Sequence, residues 1–253
     1  MLARTVLGTS REDAGAESLR RKQEEFLRAI SLYETVPFYK WTGIAVSVAN
    51  VSLQAWLVFH GMRGWSGILS EVAAFVAAVL VADFVNGVVH LVMDRASGYR
   101  SFVGPFVANF HLHHRIPAYR RRNLFAVCFL ESGSKFWLVA WLAVTALVLP
   151  VVMSWSPAWA HFLVWTGILS SWAEVSHYMC HTTRYRAQGA LERIGLVLSR
   201  RGHSRHHAED NVDYAFLNGW TNPVLNILAK RISPGYKAGT DQHMALYKAT
   251  TRA

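Results

Sequence analysis

Four long apolar stretches govern what this chain can fold into, at roughly 41–59, 67–92, 136–155 and 158–180. Each holds about the 20 residues that a helix needs to cross a hydrocarbon layer some 30 Å thick. A helix keeps every backbone hydrogen bond inside its own segment, so the expected fold is all-α and integral to a membrane, with four transmembrane helices. A hydrophobic share of 52% over 253 residues, with ten tryptophans, agrees with that class.

The first two stretches are separated only by a short run around Arg63, and the last two only by residues 154–157, so each pair reads as a helical hairpin. Residues 1–40, 94–135 and 182–253 then share the opposite side, where 25 of the 26 lysines and arginines fall. By the positive-inside rule that side, with both termini, is the cytoplasm. The net charge of +10 is accordingly read as topology and attraction to anionic lipid head groups. No nucleic-acid partner is expected, because the charge is not gathered on a soluble module with stacking aromatics.

Residues 1–40 lack the apolar run of a signal peptide. Within them Leu19, Phe26, Leu27, Ile30 and Tyr33 recur at helical spacing, the pattern of a helix lying on the membrane surface or facing solvent. Residues 41–253 read as a single membrane domain. Cys128 and Cys180, on or near the cytoplasmic face, are not expected to form a disulfide.

Three of the 12 histidines, His60, His161 and His243, read as ordinary surface or interfacial residues. The other nine map to the cytoplasmic ends of the second and fourth spans or to the cytoplasmic segments: His90, His111, His113, His114, His177, His181, His203, His206 and His207. Asp83, Asn86, His90 and Asp94 form one polar stripe on the second span, which should face the bundle interior, since charge inside a span is costly. Glu174, His177 and His181 repeat the device on the fourth, and pairs four residues apart set two donor atoms on one face a turn apart. The adjacent His113 and His114 are expected in a turn before Pro117. Uncompensated imidazoles in such number would be costly, and neutral imidazole suits zinc, copper, iron and nickel. Eight histidines plus Asp94 are too many for one zinc and suit two metal ions, for which two irons able to activate dioxygen are the choice beside lipid.

The blocks ADFVNGVVHLVMD (82–94), FHLHHRIP (110–117), HYMCHTT (177–183) and HSRHHAEDNVDYAFLNGWTNPVL (203–225) resemble the Kua, or CarF-type plasmanylethanolamine desaturase, family of membrane lipid desaturases, over about 66–228. The resemblance implies a non-haem di-iron centre held by His90, Asp94, His113, His114, His177, His181, His203, His206 and His207. His111 departs from the family pattern and is taken as a neighbour of the ligands, with the alternative open that it displaces one partner of the His113–His114 pair in the register. Asp83 and Glu174 are expected to orient ligand histidines by accepting their free ring N–H, with a direct ligand role open for Glu174.

The implied reaction turns the alkyl ether at the first position of a glycerophospholipid into a vinyl ether, with dioxygen and two electrons. A plant branch of the family instead desaturates an acyl chain of phosphatidylglycerol. Arg115, Arg120, Arg121 and Arg122 are placed to hold the lipid phosphate, or serve simply as positive-inside anchors. Without a flavin, haem or iron–sulfur motif, electrons are expected from a ferredoxin or cytochrome b5 type donor. The competing readings are another lipid desaturase or hydroxylase of the same metal class, a membrane zinc hydrolase, and a non-enzymatic metal-binding or transport protein.

Overall fold

The computed structural model describes residues 2–96, 98–115, 123–130, 135–182, 187–209 and 212–232, without the side chains of 2–16, 115, 129 and 130. His243 and residues 120–122 lie outside the described residues. Regular structure among the described residues is all helical: α1 Leu2–Thr35, α2 Pro37–Gly61, α3 Ile68–Arg95, α4 Gly104–Arg115, α5 Leu124–Leu130, α6 Phe136–Trp155, α7 Pro157–His181, α8 Gln188–Arg193, α9 Arg200–Glu209 and α10 Asn222–Ile232.

The long helices begin and end where local chemistry stops them. Pro37 and Pro157 open α2 and α7, at a position where a missing N–H costs nothing. Ser156 caps α7 by accepting from the Ala158 amide. Gly67, at φ +89°, turns the chain into α3.

The helices α2, α3 and α6 are long and apolar enough to cross a membrane. At 25 residues α7 is as long as α2, but Thr166, Ser170, Ser171, Glu174, Ser176 and His177 dilute its apolar run. Those residues are spent on packing. Asn86 of α3 donates to Ser170 Oγ (3.0 Å), and buried Ala74, Ala78 and Ala82 let α3 lie close along α7. Leu57, Leu138, Leu142, Leu149, Ala160 and Val164 join α2, α6 and α7 in one apolar core.

Both hairpin turns meet at one end of this bundle. There Ser66 Oγ lies 2.8 Å from Ser156 Oγ, and His161 Nδ1 lies 2.6 Å from Glu71 Oε2. The C-terminal ends of α3 and α7 stand at the other end, beside α4 and α9. The apolar stripe of α1 meets α4: Phe26 and Ala29 pack with Tyr99, Val107 and Ala108. Protein thus covers part of the face expected to lie on the membrane or in solvent.

The segment 212–221 has no regular structure but is buried at Val212, Tyr214, Ala215, Phe216 and Leu217. Asp83, itself fully buried, holds it to α3 by accepting from the amides of Leu217, Asn218, Gly219 and Thr221 and from the Thr221 hydroxyl.

Candidate metal centre

The end of the bundle away from the hairpin turns brings the histidines together. In the last turn and a half of α3, His90 and Asp94 share a face, one turn apart. His114 comes from the last turn of α4 and His206 from α9. Around Asp94, Oδ2 lies 3.3 Å from the Nε2 of both His90 and His206, and Oδ1 lies 3.2 Å from His114 Nε2. All four residues are buried.

A second group follows on α7 and α9. His181 Nε2 is 3.2 Å from His177 Nε2 and 2.8 Å from His203 Nε2, and His203 Nε2 is 3.0 Å from His207 Nε2. Within each group of four, the donor atoms lie within 4.8 Å of one another, and His113, His114 and His207 form a further such group between them. The rings of His113 and His177 are 4.9 Å apart, and those of His114 and His207 4.7 Å, so the two groups are neighbours.

These spacings fit a bound ion. Two nitrogens about 2.1 Å from one metal and at right angles lie about 3.0 Å apart. Facing imidazole nitrogens can share a proton only in pairs, whereas one cation satisfies four at once. His90 Nε2 makes no hydrogen bond although it is buried, as a ligand atom awaiting a metal would be.

Backbone carbonyls set the tautomers. His90 Nδ1 lies 2.8 Å from the Tyr214 carbonyl, His113 Nδ1 2.6 Å from that of Phe110, and His206 Nδ1 2.7 Å from that of Val212. A carbonyl only accepts, so each Nδ1 carries the proton and each Nε2 keeps its lone pair for the centre. On α4 and α9, burial first, and then the neighbouring imidazoles, hold His114, His203 and His207 well below the usual imidazole range, with Asp94 partly opposing this at His114. They are neutral, the state a metal ligand requires.

Several expectations are corrected by these contacts. Asp83 orients no imidazole; both its oxygens hold the 217–221 turn. Glu174 pairs with Lys135 Nζ at 3.2 Å, and Lys135 also donates to the Ser170 carbonyl. His113 and His114 lie in the last turn of α4 rather than in a loop. A proline restricts only the residue just before it, so Pro117 leaves α4 free to run to Arg115. Successive helical residues point about 100° apart, so this pair can serve both groups. His111 has both ring nitrogens engaged, with Nδ1 2.8 Å from the Tyr99 hydroxyl and Nε2 2.8 Å from the Met93 carbonyl, so it ties α4 to α3 next to Asp94. His60 stacks on Trp56 (4.5 Å) and His161 pairs with Glu71, both away from the cluster. The side chain of Arg115 and residues 120–122 lie outside the described residues.

The lipid desaturase domain family matches residues 79–230, which include every donor of the three groups. The chain belongs to the lipid desaturase family. Its helices α2, α3 and α6 fit a multi-pass membrane protein. It is similar to Plasmanylethanolamine desaturase of Myxococcus xanthus, 29% identical over 198 residues, or 73% of this chain and 66% of that protein. It is also similar to the chloroplastic Fatty acid desaturase 4 of Arabidopsis thaliana, 27% identical over 164 residues, or 62% of this chain and 48% of that protein. The chain thus spans between about half and two thirds of these relatives' lengths. No solved structure matches. Sequence reasoning missed Tyr214, Phe110 and Val212, which act through main-chain carbonyls that any residue could supply, and it missed Lys135, a lone cation before an apolar run.

Proposed function

We propose that this lipid desaturase introduces the vinyl ether double bond of a plasmalogen into the first chain of an alkyl ether phospholipid. The observation that carries the reading is the pair of adjacent four-donor groups, His90, Asp94, His114 and His206 beside His177, His181, His203 and His207, with His113 between them. One zinc ion would leave one group unused. A di-iron centre, when bound, supplies the dioxygen-dependent removal of two hydrogens from an unactivated chain, chemistry beyond any amino-acid side chain. In balance, the two neighbouring carbons lose one hydrogen each, and dioxygen becomes two waters with two electrons from a ferredoxin or cytochrome b5 type donor and two protons.

The chain's own residues aim and shelter that centre. Carbonyls of Tyr214, Phe110 and Val212 keep three ring Nε2 atoms turned inward. Phe216 packs on His90 and His177, at 5.3 and 5.2 Å between ring centres, and Phe110 packs on His90, so aromatic faces line the donors and exclude water. In this reading α7 is the fourth span, residues 41–253 are one domain, and the donors face the cytoplasm. Arg115 and Arg120 to Arg122 hold the lipid phosphate.

The similarity to Plasmanylethanolamine desaturase favours an ether substrate, and that to Fatty acid desaturase 4 supports a second reading in which an acyl chain is desaturated. Expression in a host that makes alkyl ether lipids but no plasmalogens separates the two. A phospholipid two hydrogens lighter that mild acid cleaves to an aldehyde supports the ether reading. An acid-stable double bond on an ester-linked chain supports the acyl one, and no oxygen-dependent lipid change with iron bound contradicts both.

A further inference from the structure

The outward face of α3 is apolar and exposed at Ile68, Leu69, Val72, Val76 and Leu80, and from Asp83 to Leu91 no residue is. What covers it there is α10. The start of α10 is tied to Asp83 through Thr221, Leu225 lies where a side chain at Gly87 would be, and Arg95 donates to the Ile232 carbonyl. The two helices therefore run side by side, the start of α10 level with Asp83 and its end level with Arg95.

The apolar surface is renewed, not ended, by α10. Val224 (53%) and Ile227 (55%) point outward, with Trp220 (52%) just before the helix. Gly195, at φ +70°, presses on the Trp220 indole so closely that a Cβ there would lie 2.8 Å from Nε1, and its neighbours Ile194 (64%) and Leu196 (52%) are exposed as well. Five large apolar side chains thus share one outer surface, a patch that water-soluble surfaces rarely carry. On another flank Asn222 and Asn226 bond to the amides of Ala215 and Asp213, so the polar residues of α10 are turned to protein. At the far end the charged residues Lys230 and Arg231 are exposed near Arg95, with Ile232 (48%) exposed beside them. Apolar first and basic last along the α3 axis is the order of acyl chain and head group in a bilayer.

We infer that the outer face of α10 is lipid-embedded: Trp220, Val224 and Ile227, with Ile194 and Leu196, lie in the acyl-chain region beside α3, and Arg95, Lys230 and Arg231 lie among the head groups. This rests on α3 as a membrane span and deepens the proposed reaction. His90 precedes Arg95 by five residues, about 7.5 Å along a helix. That sets the donors just below the head-group charges, at the depth of the first chain carbons.

The test uses the full chain in phosphatidylcholine nanodiscs, with Cys128→Ser and Cys180→Ser removing native thiols and a nitroxide placed singly at positions 196, 224 and 227. Position 69 serves as a lipid-facing reference and position 204, on the exposed side of α9, as a water-facing one. Oxygen collides with labels in hydrocarbon and a nickel chelate with labels in water. Labels at 196, 224 and 227 should match position 69. Nickel access at 224 and 227 equal to that at 204 would overturn the inference, and so would access by neither probe, the mark of a second copy or another protein covering the face. Each label replaces an exposed side chain, and thermal unfolding of each variant shows that the fold is kept. The measurement needs neither iron nor turnover, so its failure is distinct from failure of the proposed reaction.

Discussion

Removing the Asp83 carboxylate should loosen the 212–221 segment, whose Tyr214 and Val212 carbonyls hold the rings of His90 and His206. Five hydrogen bonds end on it: from Leu217 N (3.2 Å), Asn218 N (3.0 Å) and Gly219 N (3.2 Å) to one oxygen, and from Thr221 N (2.9 Å) and Thr221 Oγ1 (2.7 Å) to the other. Bonds to a charged group contribute about 1.5–3 kcal/mol each. The Leu217 amide is buried, while Asn218, Gly219 and Thr221 are half-buried and can recover part of the loss from water. Counting two bonds in full, Asp83→Ala costs about 3–6 kcal/mol. Asp83→Asn keeps the oxygen with three bonds and sets an NH2 group against the Thr221 amide, so it costs about 1–3 kcal/mol.

The assay is thermal unfolding of the detergent-solubilised, metal-free protein, where the order of stability should be parent, Asn, Ala. Metal affinity should fall about 10- to 100-fold in Asp83→Ala as the Tyr214 and Val212 carbonyls shift. Metal-free stability within about 0.5 kcal/mol of the parent would refute the anchoring role. A defect seen only with iron bound would return Asp83 to the task first expected of it, orienting imidazoles.

Other substitutions probe the surroundings of the centre. His111→Ala should lower stability, and Tyr99→Phe by about 1 kcal/mol, while both keep the parent's metal content; loss of a metal ion would make His111 a ligand. Gly87→Val drives a side chain into Leu225 and Ala215 and should cost about 1–3 kcal/mol in unfolding, and an unchanged midpoint would mean that α10 does not pack there. Lys135→Met leaves Glu174 as an unpaired, mostly buried charge and should cost about 3–5 kcal/mol; adding Glu174→Leu should recover most of it, and a double variant no better than the single would deny the pair. Reporter fusions after Arg63 and after Ser156 should both report the non-cytoplasmic side, and a cytoplasmic signal from either would break the shared face of the histidines.

Much of the centre is legible in the sequence because metal donors are chemically specific and helical spacing is regular. His90 with Asp94, and His177 with His181, lie four apart on apolar helices, so both their shared face and their depth can be read. The His203, His206 and His207 cluster is dense enough to need a common cause. What escapes is what depends on neighbours distant along the chain. Asp83 looks like a histidine's partner from its place on the stripe, but the amides of residues 217–221 compete for it and win by number. Glu174 is taken by Lys135, 39 positions earlier at the start of α6. His113 and His114 suggest a turn because an adjacent pair cannot face one ion from a helix, yet with two groups a helix sends each ring its own way. The outer face of α10 is hard to read for another reason: eleven residues with asparagines and a basic end look solvent-facing until Gly87 shows where the helix lies.

The central claim, a two-metal centre in a lipid desaturase, is tested most directly by the metal content per chain of the purified protein, measured beside His206→Ala and His203→Ala. Two irons per chain in the parent, and fewer in each variant because each removes a donor from a different group, is the result expected. One zinc per chain, or variants that bind as much iron as the parent, would contradict it.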